Sequence, residues 1–318
     1  MKVIDHINQS KKTLFSFELL PPLKGHNITG IYRTIDPLLE FNPSFINITY
    51  HQEEVVYKKH KSGLLEKRTV RKRPGTVAIS AAIKYKYPSV DVVPHLICGG
   101  FSKEDTEYAL IDFHFLGINN ILVLRGDPPK GMRSFVPEKE GHSYASGLVQ
   151  QIVAMNKGRY LDEEMENTTP TDFCVGVAGY PEKHIESPNI ISDLKFLKQK
   201  IDAGAEYIIT QMFFDNEKYF TFVKNCRDAG ITVPIIPGLK PITTLRDINN
   251  LPQVFNIDIP EELVKAIGEC RNNEEAFHVG IEWSIQQSKE LIRYGVPVVH
   301  YFTIGISENI RQIASAVF

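Results

Sequence analysis

Several features that would assign a sequence to a particular compartment or ligand class are missing from this chain. Its 318 residues carry a formal net charge of −2, which gives no general attraction to nucleic acid or to anionic membranes. No apolar run approaches the ~20 residues of a membrane span. The first residues, M-K-V-I-D-H-I-N, lack the apolar core of a signal peptide. Neither nucleic acid nor a membrane is therefore expected as a partner.

Cysteine is scarce and scattered along the chain. The four cysteines, Cys98, Cys174, Cys226 and Cys270, form no C-x-x-C pair. This spacing indicates neither a zinc site nor a disulfide framework, so no metal is expected. The predicted compartment is the reducing cytoplasm.

Glycine-rich nucleotide motifs are absent as well, since no G-x-G-x-x-G follows the first predicted strand and no P-loop occurs. This absence disfavours a doubly wound dinucleotide fold. What is present is an alternation of apolar strands with helices, which predicts α/β architecture and a single-domain (β/α)8 TIM barrel over residues 1–318. The predicted strands are 14–19, 45–50, 92–98, 121–124, 173–178, 207–214, 233–237 and 297–304. The main predicted helices are 76–85, 102–116, 144–156, 187–203, 217–229, 244–250, 260–270 and 273–294.

The fourth predicted strand ends in L-R-G-D-P-P, residues 124–129. Arg125 and Asp127 flank Gly126, which lets the backbone approach another group closely. In parallel α/β proteins, ligands bind at the carboxyl ends of the strands. These residues alone leave two interpretations open: a ligand site, or an internal Arg125–Asp127 ion pair.

Polar residues or glycine recur at nearly every predicted strand end. A barrel would bring these ends to one face. Individually each has an ordinary explanation, such as a solvated strand end or a histidine satisfied in the core, but their coincidence favours a site. The set is Glu18, Thr49, Tyr50, His95, Arg125, Asp127, Gly179, Tyr180, His184, Gln211 and Gly238.

Several motifs, taken together, resemble the methylenetetrahydrofolate reductase family. They are F-S-F-E-L-L-P-P, P-H-L-I-C, L-R-G-D-P-P, G-Y-P-E-K-H, I-T-Q-M-F-F-D, P-I-I-P-G-L-K-P and H-Y-F-T, in that order, between about Phe15 and Ser307. The chain looks like the short bacterial form, with the catalytic barrel and no regulatory extension. The resemblance implies a flavoprotein oxidoreductase of one-carbon metabolism and methionine biosynthesis. Such an enzyme reduces 5,10-methylenetetrahydrofolate to 5-methyltetrahydrofolate with NADH or NADPH, by ping-pong hydride transfer through non-covalent FAD.

The resemblance also implies roles for individual residues. Glu18 falls on the general acid, Gln211 on a folate-binding glutamine, and Asp127 on a residue that serves both catalysis and the folate. Thr49 falls on a threonine that contacts the nicotinamide. The expected FAD contacts are Tyr50, His95, Arg125, Gly126, Asp127, Tyr144, Ala145, Tyr180, His184, Asp193 and Lys200.

The chemistry explains why these residue types are needed. Opening the methylene bridge to an iminium on N5 requires a proton on the departing N10, which Glu18 can give only when neutral. An ordinary glutamate titrates near ~4.3, so the pocket is expected to raise the Glu18 pKa by desolvation. Asp127 would stabilise positive charge on the folate, and Gln211 offers a donor and an acceptor to the pterin. Arg125, Lys200 and the helix start near Ser187 would neutralise the FAD diphosphate.

Some positions depart from the family pattern. Phe196 and Gln199 stand where a bacterial branch has Asn and Arg, Asp247 stands where a glutamine is common, and Ile306 stands where an arginine is expected to meet the folate tail. Of the roles that the resemblance implies, binding of the folate tail therefore has the least support from the residues present.

The basic cluster, defined as Lys67, Arg68, Arg71, Lys72 and Arg73, fits a solvated surface better than a site for polyglutamated folate or NAD(P)H phosphate. A homo-oligomer is expected. Two alternative functions stay open: a folate- or flavin-binding barrel with little turnover, and another FAD barrel oxidoreductase similar to proline dehydrogenase.

Overall fold

Parallel strands wrap into a barrel in the computed structural model, which describes residues 1–128 and 134–318. Pro129, the last residue of the L-R-G-D-P-P motif, lies outside the described residues. The strands in chain order are β1 Leu14–Leu19, β2 Phe45–Ile48, β3 Glu54–Lys59, β4 Leu65–Val70, β5 Asp91–Ile97, β6 Asn120–Leu124, β7 Cys174–Gly179, β8 Tyr207–Thr210, β9 Ile235–Ile236, β10 Gly238–Leu239 and β11 Val298–Phe302. The main sheet has nine parallel strands in the order β10-β11-β1-β2-β5-β6-β7-β8-β9.

The barrel closes through a strand that is split at Pro237. β9 pairs with β8 and β10 pairs with β11, while the His300 N–H donates to the Pro237 carbonyl at 3.0 Å. Because β9 and β10 are two halves of one barrel strand, the wall has eight positions around it. The predicted α/β barrel is therefore confirmed.

Helices follow the strands around the outside. In the described ranges they are α1 Val3–Gln9, α2 Thr29–Ile35, α3 Thr76–Lys86, α4 Lys103–Phe115, α5 Ala145–Met155, α6 Ile190–Asp202, α7 Asn216–Asp228, α8 Asp247–Phe255, α9 Glu261–Gly268, α10 Asn273–Tyr294 and α11 Glu308–Val317, with a 3-10 helix at Asp36–Phe41. Within those ranges, none of the helices combines the length and the apolar character needed to cross a membrane.

The boundaries differ from the sequence predictions at several places, of which three bear on the site. β8 ends at Thr210, short of the predicted 214, because the chain leaves the sheet there, with Gln211 half-buried and Phe213 buried. α6 begins at Ile190 instead of Ser187, since the Asn189 side chain caps it by accepting from the Ser192 N–H at 2.9 Å. α8 begins at Asp247 rather than at residue 244.

The sequence analysis missed α1, which covers the amino-terminal end of the barrel. Val3 is fully buried against strand residues, and its N–H donates to the Asn120 side-chain oxygen at 2.8 Å. The terminal ammonium pairs with Asp91 at 2.7 Å. With this end closed, the open end of the barrel is the one where the strands finish.

The basic cluster belongs to a β-hairpin that was not predicted. β3 and β4 pair antiparallel as a separate two-stranded sheet, and most of their residues are exposed. Arg68 lies 2.9 Å from Glu66, and Arg71 lies 3.6 Å from Glu53. The cluster thus forms a solvated, locally paired surface, as the favoured interpretation predicted.

Candidate active site

A buried carboxylate stands at the carboxyl end of β1, where the barrel opens. The Glu18 side chain is only 16% exposed, and its Oε2 lies 3.2 Å from His95 Nε2 on β5. The Asn47 side-chain amide on β2 lies 3.3 Å from the same imidazole nitrogen. Register explains the grouping, because Glu18 pairs with Asn47 across β1 and β2. Two predicted site residues, Glu18 and His95, are therefore in direct contact.

The charge state of Glu18 differs from the prediction. Burial raises the pKa of this carboxyl, as expected, but the His95 and His300 imidazoles outweigh burial and lower the pKa to about 2. The predicted rise in the Glu18 pKa is therefore wrong for this arrangement. The cause lies in neighbours contributed by other strands, which desolvation alone did not anticipate.

His300 on β11 completes a buried polar layer. Its Nδ1 lies 2.9 Å from Ser16 Oγ, and its Nε2 lies 4.0 Å from Glu18 Oε2. Burial lowers the pKa of His300, so its neutral form is favoured. The sequence analysis assigned His300 no role. Its position in the last strand beside β1 was the only available signal.

Arg125 does not pair with Asp127. At the end of β6, its Nη1 lies 2.6 Å from Glu186 Oε2, and its guanidinium stands 5.0 Å from the Phe135 ring centroid. The internal Arg125–Asp127 ion pair considered from the sequence is therefore wrong for the described residues. Arg125 instead faces a groove at the rim of the barrel.

Gly126 and Asp127 shape the rim between the barrel mouth and that groove. Gly126 has φ 89°, and a Cβ there would come 3.2 Å from Ile97, so glycine is required. Asp127 is exposed, and its carbonyl accepts from the Gln52 side chain at 3.2 Å. Its negative charge acts on both His51 and Tyr180, so the carboxylate lies between the two parts of the site.

The groove has a volume of about 680 Å³ and runs along the ends of β6 and β7. Seven predicted FAD contacts line it: Arg125, Tyr144, Ala145, Tyr180, His184, Asp193 and Lys200. Tyr144 caps the start of α5 and is 66% exposed. This volume lies in the usual range for cofactor pockets.

The charged side chains of the groove are held in place by one another. Asp193 on α6 accepts from Ser187 Oγ at 2.7 Å and from the His184 N–H at 3.2 Å. Lys200 donates to the Ala178 carbonyl at 2.5 Å. Burial lowers the pKa of Lys200 to about 8, although the Asp193 carboxylate opposes the shift. A second anion beside Lys200 would therefore favour its charged form.

The remaining predicted residues lie on the rim outside this groove. Thr49 Oγ1 donates to the Leu19 carbonyl at 3.1 Å, and the Tyr50 ring packs on Phe101 with centroids 5.1 Å apart. Gln211 follows β8, and its side-chain oxygen accepts from the Met212 N–H at 2.9 Å. The structure brings these residues to the open end of the barrel without placing them in contact with Glu18.

Sequence reasoning missed Glu186 and Phe135 as groove residues. Both lie in the loops after β6 and β7 and line the groove, as does Ser187, near which the sequence placed a helix start facing the diphosphate. Glu186 could have been suspected because it follows His184 by two residues and offers Arg125 a carboxylate. The departures Phe196 and Gln199 also line the groove, so the altered positions do border the predicted cofactor site.

The two departures near the folate tail have different environments. The Asp247 carboxylate accepts from the Thr243 N–H at 2.8 Å and the Thr244 N–H at 3.1 Å, and it lies 3.7 Å from Lys240. It therefore serves the start of α8. Ile306 is 50% exposed on the opposite loop.

Comparisons with known proteins agree with this arrangement. The model of the methylenetetrahydrofolate reductase family matches residues 2–317. The chain is 31% identical over 310 residues to the 5,10-methylenetetrahydrofolate reductase of Escherichia coli, covering 96% of this chain and 92% of that protein. It is also 31% identical to methylenetetrahydrofolate reductase (NADH) 1 of Arabidopsis thaliana, covering 97% of this chain and 49% of that protein.

The chain spans about half the length of the plant and other eukaryotic relatives that it matches. A solved structure of a Clostridium thermocellum protein described as binding two copies of 5-methyl-5,6,7,8-tetrahydrofolic acid shares the fold, with a TM-score of 0.59 and 15% identity. That likeness covers 99% of this chain and 98% of the other. On the strength of the family match along nearly its whole length, the chain belongs to the methylenetetrahydrofolate reductase family.

Proposed function

We propose that this protein reduces 5,10-methylenetetrahydrofolate to 5-methyltetrahydrofolate, with NADH or NADPH as reductant and FAD as cofactor. The observation that carries the proposal is the Glu18–His95 pair at the barrel mouth, beside a groove lined by Arg125, Tyr180 and Lys200. A group that can hold a proton thus adjoins a groove that can hold a long, anionic, aromatic ligand.

The groove fits FAD by chemistry as well as by size. Arg125 and Lys200 would meet the diphosphate, the Tyr180 and His184 rings offer flat apolar surface, and the start of α5 at Tyr144 adds backbone N–H groups. When bound, FAD supplies the hydride transfer between the nicotinamide and the folate. The protein's own residues bind, orient and protonate.

Glu18 is the proposed general acid, and His95 is its proton partner. In the structure the low pKa of Glu18 keeps its carboxyl group ionised, and the His95 imidazole lies at hydrogen-bond distance from it. A folate covering the mouth would remove water, and a neutral acid–imidazole pair is favoured over an ion pair when the effective dielectric constant falls. A proton delivered to Glu18 across the 3.2 Å contact would then be available to N10.

Asp127 and Gln211 are proposed to hold the folate. Asp127 is exposed at the rim, where its carboxylate is free to face a cationic folate without first leaving a buried ion pair. Gln211 stands at the end of β8 with an amide suited to the pterin edge. Thr49 at the end of β2 is the proposed nicotinamide contact.

The test is a purified protein examined in two half-reactions. We expect yellow protein with about one FAD per chain, bleached anaerobically by NADH or NADPH and recoloured by methylenetetrahydrofolate. Protein that stays colourless after FAD is added would overturn the assignment of the groove.

One alternative is supported by a specific observation. Asp247 is engaged at the start of α8, and Ile306 offers no charge to a folate tail. A folate- or flavin-binding barrel with little turnover would bleach with a reduced nicotinamide and fail to recolour with folate, and the same experiment therefore separates the two functions.

A further inference from the structure

Asn47 is buried beside Glu18 at the barrel mouth, and one atom of its side-chain amide has no partner. The residue is fully buried on β2, in register with Glu18 on β1. Its Nδ2 lies 3.3 Å from His95 Nε2. Within residues 1–128 and 134–318, its Oδ1 is buried without a hydrogen-bond partner. An unpaired buried amide oxygen lowers stability, so a polar side chain at this position calls for a functional explanation.

The imidazole nitrogen that Asn47 contacts has two neighbours with opposite requirements. His95 Nε2 lies 3.2 Å from Glu18 Oε2 and 3.3 Å from Asn47 Nδ2. The low pKa of Glu18 keeps its carboxyl group ionised, and an ionised carboxylate only accepts, so Nε2 must carry a hydrogen to bond to it. An amide N–H only donates, so it needs an Nε2 without a hydrogen. The two contacts therefore suit two different protonation forms of one imidazole.

Rotation of the Asn47 amide reconciles the two requirements. A half turn about the Cβ–Cγ bond exchanges Oδ1 and Nδ2 with little change of shape. With Oδ1 toward His95, the amide accepts from an Nε2–H, which suits an ionised Glu18. With Nδ2 toward His95, as in the structure, the amide donates to a bare Nε2, which suits a neutral Glu18. The outer amide atom is unpartnered in both orientations, so the hydrogen on Nε2 decides between them.

The other titratable groups near the pair act through charge and not through contact with Nε2. His300 Nε2 on β11 lies 4.0 Å from Glu18 Oε2, which is too long for a hydrogen bond. His51, on the segment after β2, is a further imidazole, and its pKa is affected by four nearby charged groups, which are Arg73, Glu18, His95 and Asp127. Among the described residues, Glu18 and Asn47 are the side chains at hydrogen-bond distance from the His95 nitrogen.

We propose that Asn47 is a positioning residue for the proton step, and that its amide turns over as a proton passes between His95 Nε2 and Glu18 Oε2. The inference rests on the proposed function. The proton leaves Nε2 of a doubly protonated imidazole and bonds to Oε2, which leaves a neutral imidazole, with its hydrogen on Nδ1, and a neutral acid. When Glu18 then turns its O–H toward N10 of the folate, the Asn47 N–H keeps the buried Nε2 hydrogen-bonded. The acid is thus released without leaving an unpaired nitrogen behind it.

The test compares two variants of similar size across pH. Asn47→Asp only accepts when ionised but donates again when protonated, whereas Asn47→Leu does neither at any pH. Stopped-flow absorbance gives the rate at which methylenetetrahydrofolate reoxidises the reduced flavin, as a ratio to wild type at each pH. At about pH 9 both variants should be slower by about tenfold, the scale of a lost hydrogen bond to a buried group. At about pH 6 Asn47→Asp should recover to within about threefold, since burial and Glu18 raise the pKa of the new carboxyl, while Asn47→Leu stays slow.

Asn120→Asp is the matched control, because Asn120 is a buried strand amide at the closed end of the barrel. Its Oδ1 accepts from the Val3 N–H at 2.8 Å, and its Nδ2 donates to the Met1 carbonyl at 3.0 Å. This variant should match the wild-type protein in the folate half-reaction at every pH. Flavin reduction by NADH should be unchanged in all three variants, which shows that each is folded and binds its cofactor.

Two kinds of failure are distinguishable. A deficit of Asn47→Asp that does not change with pH, or an Asn47→Leu protein as fast as wild type, would overturn the role of the amide and leave the proposed function standing. A wild-type flavin that folate does not reoxidise would refute the proposed function, and the role of Asn47 with it.

Neutron diffraction tests the same inference without a variant, so it applies even if the substitutions prevent folding. Crystals of the perdeuterated wild-type holoenzyme are compared with and without 5-methyltetrahydrofolate. We expect Oδ1 of Asn47 to face a deuterated Nε2 in the free protein, and Nδ2 to face a bare Nε2 when the folate covers the mouth. The same amide orientation in both crystals would overturn the proposed rotation.

Discussion

The barrel mouth and the proposed FAD groove differ in how far neighbouring groups compensate the charge of an ionisable side chain. At the mouth, Glu18 is surrounded by His95 and His300, and the pKa of the acid falls to about 2. In the groove, Lys200 is half-buried beside a backbone carbonyl and the more distant Asp193, and desolvation lowers the pKa of the base to about 8. The first charge is compensated within the protein, whereas the second is only partly compensated.

This difference separates two tasks that the chain has to perform. A carboxylate held between imidazoles has groups beside it that can exchange a proton with it when the surroundings change, which suits proton transfer. An undercompensated base gains from any anion that arrives, which suits binding of a phosphate. The following experiments test the contrast, from the largest expected effect to the smallest.

Glu18→Gln should impair the folate half-reaction at the barrel mouth and leave the flavin half-reaction in the groove nearly unchanged. Glutamine keeps the shape of the side chain but cannot donate the acidic proton, so we expect folate reduction to fall by at least ~100-fold while flavin reduction by NADH stays nearly intact. Stopped-flow absorbance of the two half-reactions measures this. Glu107→Gln, a buried carboxylate on α4, is the control. A parallel loss of both half-reactions would make Glu18 a structural or cofactor-binding residue.

Asp127→Asn should affect both regions in opposite senses, since this residue lies between them. Loss of the carboxylate should raise the midpoint potential of the bound flavin and leave reduction by NADH unharmed. It should also weaken folate binding by about 1–3 kcal/mol, the range for a lost charge-assisted hydrogen bond. Potentiometric titration and folate binding measure the two effects. Asp112→Asn, on the outer face of α4, should change neither. If the potential and the binding both stay at wild-type values, Asp127 points away from the site.

Lys200→Gln should impair the groove alone. We expect FAD affinity to fall by about tenfold at pH 7, measured by quenching of flavin fluorescence. In the wild-type protein FAD affinity should decrease as pH rises above about 8, because the lysine then loses its proton, and the variant should lose this dependence. Lys198→Gln on the same helix, where the lysine pairs with Asp202, is the control.

The free energy of unfolding should change with pH in the direction opposite to FAD affinity. The folded Lys200 pKa of about 8 lies below its ordinary value of 10.5, so the unfolded chain binds more protons between these pH values. The Lys200 contribution therefore favours folding increasingly as pH rises through that window.

A wild-type protein whose FAD affinity is flat up to pH 10 would contradict the contact between Lys200 and the phosphate.

Glu186→Gln should increase the affinity of the groove for FAD. Glu186 pairs with Arg125 at 2.6 Å and so competes with an incoming phosphate for the same guanidinium. Releasing Arg125 should tighten FAD binding by about threefold, a small effect because the pair is partly exposed. Arg125→Gln should weaken binding in the same fluorescence assay. If Glu186→Gln weakened FAD binding instead, Glu186 would be orienting Arg125 rather than competing for it.

The sequence predicted the barrel because strand and helix periodicities are local signals. The strand-end pattern also singled out Arg125, Tyr180 and His184, which line the groove, whereas Lys200 was identified only through the family resemblance. It failed where contacts join distant parts of the chain. The Glu18 pKa depends on histidines that arrive from β5 and β11, and the Arg125 partner comes from the loop after β7.

Local pattern also concealed several elements, among them α1 and the β3–β4 hairpin. α1 has only seven residues, and its position depends on burial of Val3 at the base of the barrel. The hairpin was read as a polar stretch because exposed strands lack an apolar alternation. The choice between NADH and NADPH, the homo-oligomer and the cytoplasmic location stay predictions.

The separation of the β3–β4 hairpin from the barrel sheet has a practical consequence. Among the described residues the two hairpin strands pair only with each other, and the tip holds Gly63 at φ 85° between exposed residues. Exposed tips of this kind tolerate insertions. A small fluorescent reporter inserted at residues 61–63 would lie at the tip of the hairpin, whose base is next to Arg73. The natural architecture thus offers an attachment point for a folate sensor that leaves the barrel wall untouched.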